Sequence, residues 1–352
     1  MRAKAMLAGV VVVVLAAICV PAAPTESGDQ NDACFSKSLH YTGEGMRYWY
    51  EKEDGLKSIT NISYDKLGCN HCHVKSCDQC HARKDQQACS YSVQKAREID
   101  TCTVCHARAK AAFEAGKDSN SVDVHIAKGK VCADCHKGQD VHGDGTLRHS
   151  MRDEGAVRAN CTNCHKPKEN DIRPHTVHRG KLDCLACHIS NSISCLNCHI
   201  DNFAKTGKKE GNFLKPVQDW LLLVNYKGKV TAGTVQTAVY NNKKFIAYAP
   251  YFTHAVQAKA KDCADCHGNA AMKLLQKNEP VPMATFKDGQ MVNWKGIVPL
   301  VPDKLQWTFL TKDASDKWIP IESNEPAKVQ FVNYGEPFTK EQIKKMGMPF
   351  RK

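Results

Sequence analysis

Large apolar side chains are scarce through much of this 352-residue chain. Aromatic residues make up only 7% of it, and no tryptophan occurs between residues 51 and 200. A long polar segment of this kind is not expected to bury a conventional apolar core of its own. After an apolar run at residues 5–20, no stretch reaches the roughly 20 apolar residues that a bilayer-spanning helix needs. The sequence therefore predicts no transmembrane helix beyond its first 20 residues.

The first 22 residues have the pattern of a secretory signal peptide. Arg2 and Lys4 form a basic region, residues 5–20 are apolar, and Val20-Pro21-Ala22 offers small residues for cleavage. Cys19 is assigned to the removed peptide, because Ile18 is a poor residue to precede a lipidated cysteine. We expect an exported protein, periplasmic or extracellular, from a bacterium or archaeon.

Cysteine, by contrast, is abundant, and 16 of the 19 cysteines lie in eight Cys-x-x-Cys-His motifs. Two thiols at this spacing form thioethers with one haem, and the following imidazole becomes the proximal iron ligand. The motifs predict eight covalently attached haem c groups. The predicted haem-binding cysteines are Cys69, Cys72, Cys77, Cys80, Cys102, Cys105, Cys132, Cys135, Cys161, Cys164, Cys184, Cys187, Cys195, Cys198, Cys263 and Cys266. The predicted proximal ligands are His73, His81, His106, His136, His165, His188, His199 and His267.

Structural zinc is the competing explanation of paired cysteines. Zinc sites do not require a histidine directly after the second cysteine, and here that order recurs eight times. Haem attachment is therefore the better interpretation.

Eight histidines remain outside the motifs, one for each predicted haem. A second imidazole closes the other axial position, which leaves an iron that carries electrons and binds no substrate. The candidate distal ligands are His40, His71, His125, His142, His149, His175, His178 and His254. His71 lies between Cys69 and Cys72, so it would have to serve a neighbouring haem. If it faces solvent instead, one haem would use Met46 or Met151, take a ligand from another chain, or stay open.

Cys34 and Cys89 are the two cysteines of the exported chain outside the motifs. In an oxidising compartment they are candidates for a disulfide. Two free thiols are the alternative.

The predicted fold is a multihaem cytochrome c: a haem-packed domain of short helices and loops with little regular structure, followed by a smaller β-rich C-terminal domain. Residues 33–200 form the predicted seven-haem domain, because about 19 residues per motif cannot bury a core without the haems. Residues 201–352 form the β-rich domain with the eighth haem. We expect strands at 220–226, 229–240, 243–251 and 329–332, and a hairpin of 307–310 with 318–321. Helices are expected at 92–100, at 107–115 with Gly116 as a stop, and after Thr339, where Gln342 completes a capping box.

Residues 174–199 resemble the core module of class III cytochromes, the c3 and c7 group. The matching elements are Pro174-His175-Thr176-Val177-His178 and the motifs at 184–188 and 195–199. The resemblance implies that His175 is the distal ligand opposite His188, and that His178 serves the haem of His199. His125 and His254 are similar to the second role, in which a histidine serves a later haem. The β-rich region lies outside this pattern.

The formal net charge of +12 overstates the charge of the predicted holoprotein. Removal of Arg2 and Lys4, and about −1 for each ferric haem with ionised propionates, bring it to about +2. Nucleic-acid binding is not expected, since no nucleic-acid motif accompanies the basic residues.

Three functional classes fit the sequence. The first is an electron-transfer cytochrome of anaerobic respiration, with mostly bis-histidine haems. Its partners would be redox protein donors and acceptors, such as membrane quinol-linked complexes or extracellular cytochromes. The second is an octahaem reductase or oxidase of small nitrogen or sulfur oxyanions with one open haem; no motif ends in lysine, which argues against the lysine-ligated type. The third is a homo-oligomer or extracellular cytochrome filament. No catalytic residue is assigned.

Overall fold

The computed structural model describes residues 33–67, 73–83, 90–166, 173–206 and 217–350. The predicted signal peptide and Cys69, His71, Cys72 and Cys89 lie outside these residues. Cys34 is half-buried, and its pairing with Cys89 stays a prediction. No helix within the described ranges is long and apolar enough to cross a membrane.

The first half of the chain consists of short helices joined by loops. They are α1 (Leu39–Thr42), α2 (Glu44–Glu51), α3 (Lys57–Thr60), α4 (Asp78–His81), α5 (Val93–Arg97), α6 (Ile99–Thr103), α7 (Ala107–Asp118), α8 (Val124–Ala127), α9 (Cys132–Cys135), α10 (Gly138–His142) and α11 (Arg173–Thr176). Three-residue 3₁₀ turns lie at Tyr64–Lys66, Cys161–Asn163 and Cys184–Ala186. Side chains cap several of the helices: Ser38, Ser92 and Asp123 each accept a hydrogen bond from a backbone N–H of the following turn.

The stop predicted at Gly116 is wrong, because α7 continues through it to Asp118. Gly116 is buried, and a Cβ there would lie 3.1 Å from the carbonyl oxygen of Ser121. The glycine therefore allows the chain after the helix to fold back closely against it. The helix predicted at 92–100 is two helices, α5 and α6, divided at Glu98.

Buried apolar residues are few among the helices. Between residues 73 and 184, the buried hydrophobic side chains of the described residues are Ala112, Ala115 and Ala156. Val104 is 82% exposed and Val93 71% exposed. Three alanines do not make a core for a segment of this length, so its tertiary structure needs another source of packing.

The second half is built on β-strands. They are β1 (Cys195–His199), β2 (Trp220–Tyr226), β3 (Lys229–Tyr240), β4 (Lys243–Pro250), β5 (Val281–Lys287), β6 (Gln290–Asn293), β7 (Gly296–Pro299), β8 (Leu305–Trp307), β9 (Leu310–Lys312), β10 (Trp318–Pro320) and β11 (Lys328–Phe331). The helices of this half are α12 (Ile200–Thr206), α13 (Cys263–Cys266), α14 (Ala270–Gln276) and α15 (Lys340–Gly347). Further 3₁₀ turns lie at Pro302–Lys304 and Val332–Tyr334.

The largest sheet has six strands in the order β11-β4-β3-β2-β7, and β1 pairs with β3 in parallel. A three-stranded sheet has the order β6-β5-β8, and β9 pairs with β10. The predicted strands 220–226 and 229–240 are confirmed, and the next ends one residue early at Pro250. The hairpin prediction is wrong in its first strand: β8 pairs with β5, and β9 starts at Leu310. The capping box of Thr339 and Gln342 is confirmed at α15.

Both faces of the six-stranded sheet are covered. One face carries Leu222, Val235 and Tyr248, which pack with residues of β5 and β8. On the other face, Ala238 and Phe245 pack with Tyr50, Ile59, Tyr64 and Leu67 from the first helices. Residues 49–67 therefore belong to the packing of the sheet, and the predicted boundary after residue 200 separates β1 from the strand with which it pairs.

Candidate functional site: paired histidines

Among the described residues, imidazole rings form six pairs whose ring centroids lie 6.0 to 6.3 Å apart. Every pair joins one motif histidine to one histidine from outside the motifs. The pairs are His106 with His40 at 6.0 Å, His81 with His142 at 6.1 Å, His165 with His125 at 6.1 Å, His136 with His254 at 6.3 Å, His188 with His175 at 6.3 Å and His267 with His178 at 6.1 Å.

This separation fits two ligands of one metal ion. Imidazoles that bind a metal from opposite sides at about 2.0–2.1 Å place their ring centroids roughly 6.3 Å apart. Aromatic contacts in general spread over about 4.5–7 Å, whereas the six pairs lie within 0.3 Å of one another. The narrow range and the one-to-one composition of the pairs match the axial positions of a haem iron.

Hydrogen bonds orient several of these rings. His40 Nδ1 lies 3.1 Å from the carbonyl oxygen of Val141, and His188 Nδ1 lies 3.1 Å from that of Gln257. A carbonyl oxygen only accepts, so Nδ1 carries the proton and Nε2 keeps the lone pair that binds a metal. His125 Nδ1 lies 3.2 Å from Asp123 Oδ1, which has the same effect.

Desolvation favours the neutral form of five of the paired imidazoles. It is the largest cause that lowers the pKa of five of them, and a neighbouring imidazole lowers each further. These five are His40, His106, His142, His178 and His254. A neutral imidazole is the form that binds a metal.

Helical turns place the motif cysteines of most sites. α9 and α13 each begin and end on the two cysteines of a motif, and the 3₁₀ turns at Cys161–Asn163 and Cys184–Ala186 begin on the first. Residues at i and i+3 lie on one side of such a turn, so both thiols reach the same group. Asp183 stabilises one turn by accepting the N–H of Leu185.

Neighbouring motifs lie close together. The Cys102 thiol is hydrogen-bonded to Cys132, and the Cys161 thiol to Cys184. After the Cys132 hydrogen bond and burial, the nearby Cys80 is a smaller cause that raises the pKa of Cys102; after burial, Cys263 is a smaller cause that raises the pKa of Cys187. Asp123 lies between the site of the His136–His254 pair and the site of the His165–His125 pair. It is hydrogen-bonded to His125, and its charge partly offsets the lowering of the His254 pKa by burial. The six paired sites therefore form one series, in the order of the motifs at 77, 102, 132, 161, 184 and 263.

His73 is a motif histidine that does not face an imidazole among the described residues. Its Nε2 lies 3.1 Å from the hydroxyl of Tyr64, and the two rings stack at 5.9 Å. A Cβ at Gly43 would collide with this same nitrogen, so the ring needs a glycine there. The candidate distal histidine His149 also has no paired imidazole among the described residues. Its Nδ1 lies 3.2 Å from Glu44 Oε2, and its ring stacks on Tyr48 at 5.0 Å.

His199 is the second motif histidine without a paired imidazole among the described residues. Its side chain is buried, its Nε2 has no hydrogen-bond partner, and the ring packs against Trp318 at 4.9 Å. Its motif lies in β1, where a regular strand would point Cys195 and Cys198 to opposite faces.

A bulge at Asn197, with φ of 52°, brings both cysteines to one face, beside Gln236 and Ala238. His199 lies beside Val239, on the other face. In β1 this motif therefore carries its two thiols on one face of the sheet and its imidazole on the other.

Two of the candidate distal histidines lie beside other imidazoles than the resemblance implied. His175 lies opposite His188, as the c3/c7 pattern implies. His178 faces His267 and not His199, because β1 holds His199 under Trp318. His254 faces His136, which belongs to an earlier motif and not a later one. Met46 and Met151, the alternative ligands, are both exposed.

Tyr64 and Trp318 contact motif histidines, and no sequence signal marked either of them. The described residues contain no group of three or more histidine, cysteine, aspartate or glutamate side chains arranged to hold a metal ion. Comparison of the chain with protein-family models, with curated proteins and with solved structures finds no match.

Proposed function

We propose that this chain is an exported octahaem c-type cytochrome that relays electrons between redox partners. The observation that carries the proposal is the set of six imidazole pairs, each made of one motif histidine and one other histidine at the spacing of two axial ligands. The eight motifs supply the thiols for eight covalent haems.

A haem iron would supply one-electron redox chemistry, and the two imidazoles of each pair would hold it. In each pair the motif histidine is held next to its cysteines, and the second histidine comes from elsewhere in the chain. The second imidazole excludes water and substrate from the distal side. Such a site passes electrons and does not transform a substrate.

The arrangement of the sites supports a relay. Each of the six lies near the next, either through a hydrogen bond or close enough for a charge in one to shift a pKa in the other, from Cys80 at one end to Cys263 at the other. The haems would also supply the packing that three buried alanines do not give to residues 73–184.

Bis-histidine ligation gives lower potentials than histidine–methionine ligation, which suits anaerobic respiratory chains. We propose redox proteins as donor and acceptor, either membrane quinol-linked complexes or extracellular cytochromes. The c3-like segment at 174–199 agrees with this class.

Two measurements test the proposal on protein matured in a host that attaches haem c. Intact mass should exceed that of the apoprotein by eight haems, and fewer in a fully matured sample would contradict the haem count. Electron paramagnetic resonance of the oxidised protein should show at least six low-spin haems. High-spin signals from most haems would contradict bis-histidine ligation.

A second candidate is a reductase or oxidase of small nitrogen or sulfur oxyanions. His73 and His199 favour it, since neither faces an imidazole within the described residues. Carbon monoxide binding to the reduced protein, with turnover of nitrite, hydroxylamine or tetrathionate, would support this candidate. An absence of both would favour the relay.

A further inference from the structure

Helix α10 begins two residues after His136 and places Asp140 beside that histidine. Oδ2 of Asp140 lies 3.4 Å from Nδ1 of His136. The Asp140 side chain is only 2% exposed, and this oxygen has no hydrogen-bond partner among the described residues. A buried carboxylate oxygen without a donor destabilises a protein. A shift of roughly half an ångström would complete a charge-assisted hydrogen bond from Nδ1.

The other oxygen of this carboxylate is held by the chain beyond the helix. Oδ1 accepts the backbone N–H of Arg158 at 2.9 Å. The Arg158 guanidinium lies 4.0 Å from the same oxygen, but it donates to Asp144 at 2.6 Å. Asp144 also accepts from Arg148 at 2.7 and 2.9 Å. Both arginines are therefore paired with Asp144, and Oδ2 of Asp140 remains directed at the imidazole.

Contacts with two further sites fix the position of α10. His142 faces His81, and the carbonyl of Val141 lies 3.1 Å from Nδ1 of His40. Three consecutive residues of one helix thus lie beside three successive sites of the series, those of the motifs at 77, 102 and 132. Of the three residues, Asp140 alone carries a negative charge.

The imidazoles of other pairs have weaker acceptors at Nδ1. His40 and His188 each lie 3.1 Å from a neutral backbone carbonyl. Asp123 lies beside His125, but each oxygen of that carboxylate already accepts a backbone N–H. Oδ2 of Asp140 has no such donor. An imidazole that donates from Nδ1 to a carboxylate is a more basic metal ligand than one that donates to a carbonyl.

We propose that Asp140 accepts the Nδ1–H of His136 and lowers the reduction potential of the haem attached at Cys132 and Cys135. The inference rests on the proposed haem attachment and on the pairing of His136 with His254. A negative charge and a more basic ligand both favour ferric over ferrous iron. Asp140 is a positioning residue that acts through His136.

The test starts from the holoprotein of the His254→Ala variant. Without its second imidazole, the haem of His136 becomes five-coordinate and high-spin when reduced, so its spectrum separates from those of the other haems. Resonance Raman spectroscopy then measures the stretching frequency of the bond between its iron and His136. Adding Asp140→Asn should lower this frequency, because the imidazole loses its charged acceptor and binds the iron less strongly. An unchanged frequency would overturn the inference.

Asp134→Asn in the same background is the matched control. It removes an equal charge from the same motif, but its carboxylate accepts hydrogen bonds from Arg97 and from the N–H of Val131. The iron–histidine frequency should therefore stay the same. An equal decrease in both variants would show that the charge of the segment, and not the contact with the imidazole, sets the frequency, which would overturn the inference.

The midpoint potential of the same haem is the second readout, followed through its high-spin absorption band. Asp140→Asn should change the ferric–ferrous equilibrium roughly tenfold towards the ferrous form, a rise of about 59 mV for a one-electron couple. Asp134→Asn should raise the potential by less, since its side chain is more exposed and its charge is screened. A potential that stays in place or falls in Asp140→Asn would overturn the inference.

A comparison of two open sites requires no change at Asp140. His175→Ala opens the haem of His188, whose Nδ1 lies 3.1 Å from the neutral carbonyl of Gln257. The iron–histidine frequency should be higher in His254→Ala than in His175→Ala. Equal frequencies, or the reverse order, would overturn the inference. Fewer than eight haems in the wild-type protein would count against the proposed function, whereas eight haems without these differences would count against Asp140 alone.

Discussion

The side-chain oxygen of Asn197 accepts the backbone N–H of Leu310 at 2.9 Å. Its amide nitrogen donates to the carbonyl of Thr308 at 3.1 Å, and its own backbone N–H donates to Thr237 Oγ1. One fully buried residue thereby joins β1 to β3 and to the start of the β9–β10 hairpin. The same residue forms the bulge that brings Cys195 and Cys198 to one face of the sheet.

Asn197→Ala should lower the free energy of unfolding by about 2–4 kcal/mol, because it leaves the Leu310 N–H and the Thr308 carbonyl without partners. Urea unfolding followed by tryptophan fluorescence measures the change, since four of the five tryptophans lie after residue 200. Asn278→Ala is the control, as Asn278 also has a positive φ but is exposed. Equal losses in the two variants would show that backbone strain alone accounts for the effect.

His254→Ala should convert one haem from low-spin to high-spin, because it removes the imidazole opposite His136. The reduced variant should bind one more equivalent of carbon monoxide than the wild-type protein. Thr253→Ala, a change at the adjacent residue, should bind no more than the wild type. If His254→Ala keeps all its low-spin signals, His254 is not a ligand.

Stability should fall as the pH drops below about 6.5, the ordinary pKa of histidine. Burial first, and neighbouring imidazoles second, hold the pKa of folded His40 and His254 below that value. The unfolded chain then binds more protons than the folded one, so the unfolding free energy rises with pH by at most about 1.4 kcal/mol per unit for each such histidine. Above the pKa that these histidines have in the unfolded chain, they should no longer make the unfolding free energy rise with pH.

Urea unfolding at pH 5 and pH 7.5 measures this dependence. A protein that is equally stable at the two values, or more stable at pH 5, would contradict it.

Residues 60–200 expressed without haem maturation should be unfolded. The described part of 73–184 buries only three alanines as apolar side chains, and the ordering of its backbone costs about 1–2 kcal/mol per residue. Circular dichroism of the fragment is the measurement. A cooperative thermal transition in the haem-free fragment would show that the chain packs without its cofactors.

The sequence by itself determined the features that depend on near neighbours along the chain. A Cys-x-x-Cys-His motif needs only five consecutive residues, so all eight were visible without a structure. The strands at 220–226 and 229–240 were also predicted, because their side chains and the Lys227-Gly228 turn between them are local signals. The same holds for the capping box at Thr339.

Only the tertiary structure decided which histidine faces which. His254 pairs with His136, which is far from it in the sequence, whereas the position of His254 before the motif at 263 had implied that it serves a later haem. The c3-like segment implied the imidazole that lies beside His175, but not the one beside His178, since β1 carries His199 to the face of the sheet opposite Cys195 and Cys198. The pairing of histidines depends on contacts between distant segments, and those contacts are set by how the whole chain packs.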